Sequence, residues 1–335
     1  MHLNYINSLY MKTSEASRIS TETINAESSS SQPIEFEEIK KATKNFQPDL
    51  LLGNGGFGHV YKGWIHEYNL KAAKPGFGMA VAVKKWNPHG LQGRQEWMNE
   101  LYYLSKLHHP NLVKLIGHCS EEGNLLVEHN MLVVYEFMPN GSLDNRLFSR
   151  RYQSLSWATR IKVATGAARA LSFLHGLEKQ VIHRGFNSGD ILLDGEFNAK
   201  LSDFGLARNG PTGDMTHVST RVMGTYGYEA PEYVATGHLT TKCDVYSFGV
   251  VLLESLTGRS VLDMLKARHE WNLVNWAQQY LLHKIKLKRI MDTKLEGQYP
   301  ENGVYTVATV ACKCIRQDPR KRPTMAEVLV ALEQL

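Results

Sequence analysis

Phe36, Ile39, Ala42 and Phe46 recur among charged residues at helical spacing, which predicts a short amphipathic helix within residues 34–46, flanking a larger body. From Leu51 to Lys85 the pattern changes to alternating β-branched and aromatic residues broken by glycine-rich turns, the signature of strands. A helix is predicted from Gln92 to Leu107, with Trp97, Leu101, Leu104 and Leu107 on one face. Short strands follow over Val113–Ile116 and Met131–Phe137. Beyond Pro139 the pattern is helical. Ile161, Ala164, Ala168, Leu171 and Leu174 mark one long buried helix, and Asp244 to Leu256 a second that is apolar nearly all round, while Pro319 and Pro323 punctuate the last pair. The expected fold class is α+β in two lobes, a small β-rich one over residues 47–138 and a larger α-helical one over residues 139–335.

Residues 1–33 differ from all of this. They are rich in Ser, Thr, Asn and Glu, include the run Ser28–Ser31 and close on Pro33, so they bury too little apolar surface to offset their ordering entropy. A disordered tail is expected there. The remainder of the 335 residues, at 43% apolar content for the chain, suffices for a large core. The formal charge of +5 comes from cations scattered along the chain, too mild a balance to imply nucleic acid. Cys119, Cys243, Cys312 and Cys314 are too few for a disulfide framework and suit a reducing cytosol; Cys312 and Cys314 read as core thiols on a helix. The apolar run around Gly249–Leu253 is far short of the roughly 20 residues that span a bilayer, and His2 stands where myristoylation needs glycine. A cytoplasmic chain with no membrane insertion of its own is expected, any recruitment to the plasma membrane being left to partners.

Leu52-Gly53-Asn54-Gly55-Gly56-Phe57-Gly58-His59-Val60 contains G-x-G-x-x-G, a spacing that by itself also opens dinucleotide folds. A dinucleotide fold would continue as a helix with an acidic residue about 20 positions on. Here Val60, Tyr61 and Lys62 continue as a strand, and Val81-Ala82-Val83-Lys84 is an alternating strand ending on lysine. Glycines that let backbone amides approach phosphates, with a lysine opposite, fit a nucleoside triphosphate. Such a lysine needs a carboxylate to hold it, and Glu100 lies on the following helix.

These motifs in this order resemble the protein-kinase signature set. Leu132-Val133-Val134-Tyr135-Glu136-Phe137-Met138 resembles the hinge, with Tyr135 as a bulky gatekeeper and the backbone of Glu136 and Met138 facing adenine. Asp203-Phe204-Gly205 matches D-F-G and Ala230-Pro231-Glu232 matches A-P-E; Asp244 stands where the family anchors its catalytic loop, and Arg322 where it pairs with the A-P-E glutamate. Pro139-Asn140-Gly141-Ser142-Leu143, Gly224-Thr225-Tyr226-Gly227-Tyr228 and His217-Val218-Ser219-Thr220-Arg221 are similar to plant receptor-like cytoplasmic kinases. The resemblance covers the chain from Phe46 onward. It implies the two-lobed protein-kinase fold and ATP and Mg²⁺ as cofactors. Nucleotide contacts are implied at Leu52, Gly53, Gly55, Gly58, Val60, Ala82, Lys84, Glu100, Glu136 and Met138, with metal ligation by Asp203 and Asp190.

One stretch departs from the family. Its loop H-R-D-x-K-x-x-N reads His183-Arg184-Gly185-Phe186-Asn187-Ser188-Gly189-Asp190. Gly185 replaces the carboxylate that accepts the substrate proton, a group worth about 10²–10⁴-fold in rate. Asn187 replaces the lysine that steadies the transferring phosphate, a further loss of roughly 10²–10³-fold by analogy with oxyanion donors. Asp190 still offers a hard oxygen to Mg²⁺. No intact catalytic residue is left in that loop. The resemblance with this defect implies a pseudokinase that binds Mg–ATP and acts as a regulatory, scaffold or bait partner of other protein kinases or immune receptors. The alternative is an active Ser/Thr kinase. Arg184 survives, and in the family this arginine receives a phosphate on the activation segment, where Ser219, Thr220 and Thr225 are the regulatory positions. The connection Glu121–Asn130, with Leu125, Leu126 and Val127, is longer than the resemblance leads one to expect and offers an interaction loop.

Overall fold

The structure, a computed structural model, describes residues 32–55, 58–86, 91–121, 130–264 and 266–335. The predicted tail through residue 31, Gly56 and Phe57 of the glycine loop, and residues 122–129 of the long connection lie outside the described residues.

The first lobe is built on one sheet. Its strands are β1 (Gln32–Pro33), β2 (Leu51–Gly55), β3 (Gly58–Ile65), β4 (Met79–Trp86), β5 (Leu115–Glu121) and β6 (Asn130–Glu136), in the order β1-β5-β6-β4-β3-β2. All neighbours are antiparallel except β1, which lies parallel to β5. Side chains alternate across a pleated strand, so β4 sends Val81 and Val83 to one face, where they join Ile39, Leu132 and Val134 in a core cluster. The same alternation sends Ala82 and Lys84 to the opposite face, into a cleft.

The outer face is closed by the chain's own beginning. The boundary expected after Pro33 falls earlier, because Gln32 and Pro33 pair with Gly117 and His118 of β5. Gly117 is required by that approach, since a Cβ there would stand 2.6 Å from the Gln32 carbonyl oxygen. Helix α1 (Phe36–Ala42) then buries Ile39 and Ala42 against the sheet. It stops four residues short of the predicted end. Lys44, Asn45 and Phe46 have φ of 50°, 59° and 54°, a left-handed turn that ends a helix, and Thr43 Oγ1 fixes it by donating to Ile39 O and accepting from Phe46 N. Phe46 then packs edge-on to Tyr61, at 5.4 Å between centroids.

Helix α2 (Leu91–Lys106) packs behind the sheet as predicted, with Leu104 buried and Trp97 and Leu101 half-buried against the core. The strand expected at 113–116 begins instead at Leu115, because the residues before it are drawn to the second lobe: Leu112 bridges Leu201, and Val113 N donates to Leu201 O at 3.0 Å.

In the second lobe α3 (Leu143–Phe148) precedes α4 (Trp157–Gly176), whose Ser156 cap accepts from Thr159 N. Short pairs then carry the functional loops: β7 (Val181–Ile182) with β10 (Arg208–Asn209), β8 (Ile191–Leu193) with β9 (Ala199–Leu201), and β11 (Val218–Ser219) with β12 (His238–Leu239). After α5 (Pro231–Thr236), helix α6 (Thr241–Thr257) is buried at every position from Cys243 onward. That is the all-round apolar helix of the sequence. Against it pack α7 (Leu273–Leu281) and, beyond the short α8 (Lys284–Leu287), α9 (Glu301–Cys314), while α10 (Met325–Glu333) packs on α4. A buried ion pair, Arg160–Asp292 at 2.6 Å, ties α4 to the segment that follows α8.

Candidate functional site

Between the lobes lies a cavity of 370 Å³, within the range of small-molecule sites. Leu52, Gly53, Gly58, Val60, Ala82, Lys84, Glu100, Glu136 and Met138 all line it, as do Tyr135, Asp190 and Asp203. Gly55 takes part through its backbone, pairing with Gly58 at the turn of the β2–β3 hairpin. At Gly58 a side chain is excluded, because φ is +151° and a Cβ would lie 2.1 Å from Lys85 O; at Gly53 a Cβ would meet nothing within 4 Å, which leaves the roof open. The Glu136 carboxylate accepts from Lys114 N and pairs with Lys200, each at 2.8 Å.

Lys84 Nζ is 3.1 Å from Glu100 Oε2 and 3.0 Å from Asp203 Oδ1. Burial disfavours its charge, but the two carboxylates outweigh burial and hold the ammonium above the ordinary lysine range. Burial pushes Glu100 up to about 7, against the pull of Lys84. The sequence reading assigned Tyr135 only bulk, yet its hydroxyl donates to Glu100 Oε1 at 2.7 Å and so braces α2 from the hinge side. Phe204 is fully buried, its ring 5.1 Å from His183 and 6.5 Å from Tyr103, and Asn99 Nδ2 donates to Gly205 O. Asp203 has φ of 60°, which aims its carboxylate at Lys84.

The loop from His183 to Asp190 is suspended from α6. Asp244 accepts from His183 N and Arg184 N, both at 2.8 Å, and its Oδ2 is 2.8 Å from His175 Nε2. Arg184 has φ of 71°, and Gly185 N donates back to His183 O. Gly185 is not demanded by the backbone: a Cβ there would touch Leu206 at 3.4 Å, ordinary contact. Asn187 shares the two hydrogens of its carboxamide nitrogen among three acceptors, Gly185 O at 2.9 Å, Asp190 Oδ2 at 2.7 Å and Thr225 Oγ1 at 3.1 Å. Its oxygen accepts from Gly189 N, and its backbone N donates to Asp190. Asp190 is thus engaged inside the loop. Burial and the nearby Asp203 charge push it well above the usual carboxylate range. Two carboxylates, Asp190 and Asp203, line one cleft and form a donor set that fits a divalent cation. Among the described residues no cluster of three or more metal-binding side chains exists.

The segment after Asp203 reaches the same loop. Arg184, buried, donates to Tyr233 Oη and Thr220 Oγ1, each at 3.0 Å, and to Arg221 O. Ser219 pairs with His238 in the β11–β12 ladder, and Thr225 meets Asn187. Glu232 and Arg322 form a two-pronged ion pair at 2.6 and 2.7 Å. Sequence reasoning passed over a second buried connection: Tyr228 Oη lies 3.1 Å from Ser188 Oγ and donates to Glu254 Oε1 at 2.7 Å, while Val261 N donates to the same oxygen. No sequence signal distinguishes Glu254 from any glutamate on a helix.

Burial raises Glu254 from 4.5 to about 7. The native state therefore holds this proton where the unfolded chain has lost it, and stability falls as pH rises from about 4.5 to 7, by about 3 kcal/mol from this group. Glu254→Gln keeps an oxygen for Tyr228 and Val261. Its thermal midpoint should lose that pH dependence and exceed the native chain's at pH 8, as paired melting curves would register.

The profile of the protein tyrosine and serine/threonine kinase family matches residues 47–332. The chain is similar to the probable serine/threonine-protein kinase PBL3 of Arabidopsis thaliana, 60% identical over 300 residues, 90% of this chain and 69% of that one. PBL2 of the same plant, also named a probable serine/threonine-protein kinase, is 59% identical over the same shares. Receptor-like cytoplasmic kinase 176 of Oryza sativa subsp. japonica is 55% identical over 302 residues, 90% of this chain and 75% of that one.

Proposed function

Because the chain belongs to the protein tyrosine and serine/threonine kinase family, we propose that it is a kinase-fold partner that binds Mg–ATP in its cleft and transfers phosphate poorly. It serves instead as a regulatory, scaffold or bait surface for other kinases or immune receptors in the receptor-like cytoplasmic branch. The observation that carries this reading is the state of the catalytic loop. Gly185 has no proton acceptor, and the polar side chain at position 187 is neutral and spent on Gly185 O, Asp190 and Thr225. Mg²⁺, when bound, supplies charge neutralisation between the β- and γ-phosphates; Asp203 and Asp190 are the residues to hold it, and Lys84 the one to meet phosphate.

The active-kinase reading is favoured by a different observation. The relatives are named probable Ser/Thr kinases, and the Lys84–Glu100 pair that transfer requires is made, with Asp203 beside it. Thr220, within reach of Arg184, is then the position where a phosphate of about −2 charge would strengthen the segment's hold.

Phosphate incorporation by the purified protein, set beside a Lys84→Met control, decides between them. Both should give the same background, while Mg–ATP raises the melting temperature of the native chain only. Incorporation about 10²-fold above the control would return the chain to the active kinases.

A further inference from the structure

The short helix α8 carries an unusual balance of side chains. From Trp271 to Met291 the sequence holds Lys284, Lys286, Lys288 and Arg289 and no aspartate or glutamate. All four cations are exposed, as is His283, and two apolar side chains beside them are exposed too, Ile285 at 80% and Leu282 at 55%. Leu287, by contrast, is buried and pins the helix to the lobe. Glu301 neutralises Lys288, and Lys284 lies 5.0 Å from the Tyr305 ring. Lys286 and Arg289 make no ion pair among the described residues. An isoleucine at that exposure, ringed by cations, projects from the surface. The cavity beside the helix is only 40 Å³ and is lined by Leu287, Tyr299 and Tyr305, not by Ile285 or Leu282.

We infer that this edge adsorbs to an anionic lipid surface, Ile285 and Leu282 entering the headgroup layer while the lysine stems extend along it with their ammonium groups at the phosphates. A peptide partner needs a recess for its anchoring side chain, and the small cavity beside the helix does not reach Ile285; a lipid surface needs only a projecting apolar tip and cations. No helix among the described residues is long and apolar enough to cross a membrane, and adsorption requires none. None of these residues lines the nucleotide cleft, so the inference stands apart from the proposed function.

Each cation beside an anionic leaflet raises partitioning about fivefold, so three uncompensated charges give on the order of 10²-fold. The full chain, sedimented with phosphatidylcholine vesicles containing about 30% phosphatidylserine, should bind at least tenfold more than with phosphatidylcholine alone. That preference should collapse in about 0.5 M NaCl. Lys284→Glu/Lys286→Glu should abolish it, and Ile285→Ser should weaken binding about fivefold, both with an unchanged melting temperature. Equal binding to the two vesicle types, a preference that survives the lysine reversal, or binding undiminished by Ile285→Ser overturns the inference. Retention on poly-glutamate without vesicle binding assigns the edge to an acidic protein instead and overturns it equally.

Discussion

The triple variant Gly185→Asp/Asn187→Lys/Asp190→Asn should transfer the γ-phosphate of ATP to a protein acceptor about 10²–10⁴-fold faster than the native chain, and faster still if the restored lysine contributes independently. The frame is already set for it. Lys84 meets both Glu100 and Asp203, Phe204 is packed beneath α2, and a Cβ at residue 185 meets only the Leu206 side chain at contact distance. The three changes have to be made together. Asn187→Lys alone removes the donor to Gly185 O and the acceptor for Gly189 N, and leaves Asp190 with one fewer partner in a buried site. Asp190→Asn alone keeps an oxygen for Asn187 but adds an amide nitrogen that needs acceptors of its own. Each single change should cost about 1–2 kcal/mol of stability, and the triple less than their sum. A triple variant that folds, binds Mg–ATP and stays inactive in a single-turnover assay would locate the defect outside this loop.

Asp244→Ala should destabilise the protein by about 3–6 kcal/mol, because it strands two buried main-chain donors and His175 in the interior. Against a typical stability of about 5–15 kcal/mol, that loss is enough to show as a large fall in the denaturant midpoint. Amide exchange gives the local readout. The His183 and Arg184 amides should lose protection by several decades, while amides in the middle of α4 change only by the global loss. A shift confined to global stability would mean that water replaces the carboxylate.

Much of this site was legible because its chemistry lies in side chains at fixed spacing. Lys84, Glu100 and Asp203 meet at one cleft, Glu232 pairs with Arg322, and nine of the ten positions expected to contact nucleotide line the cavity. What escaped depended on contacts between distant segments. Residues 32–46 carry a helical pattern but nothing in it announces a strand parallel to β5 or a left-handed turn at Lys44–Phe46, both decided by packing against the sheet. Position 187 reads in sequence as a missing charge. Only in three dimensions does it become the centre of five hydrogen bonds that settle the loop without one. The Tyr228–Glu254 connection spans 26 residues, and burial, invisible to a motif, is what gives it weight.

The grip of Asp244 falls on peptide nitrogens, and every residue except proline presents one. Such a mooring is blind to which side chains the moored residues carry. Side chains at 185, 187 and 190 can therefore be exchanged by mutation while the contour they sit on persists, and a partner that reads shape would meet the same face in the native chain and in the triple variant.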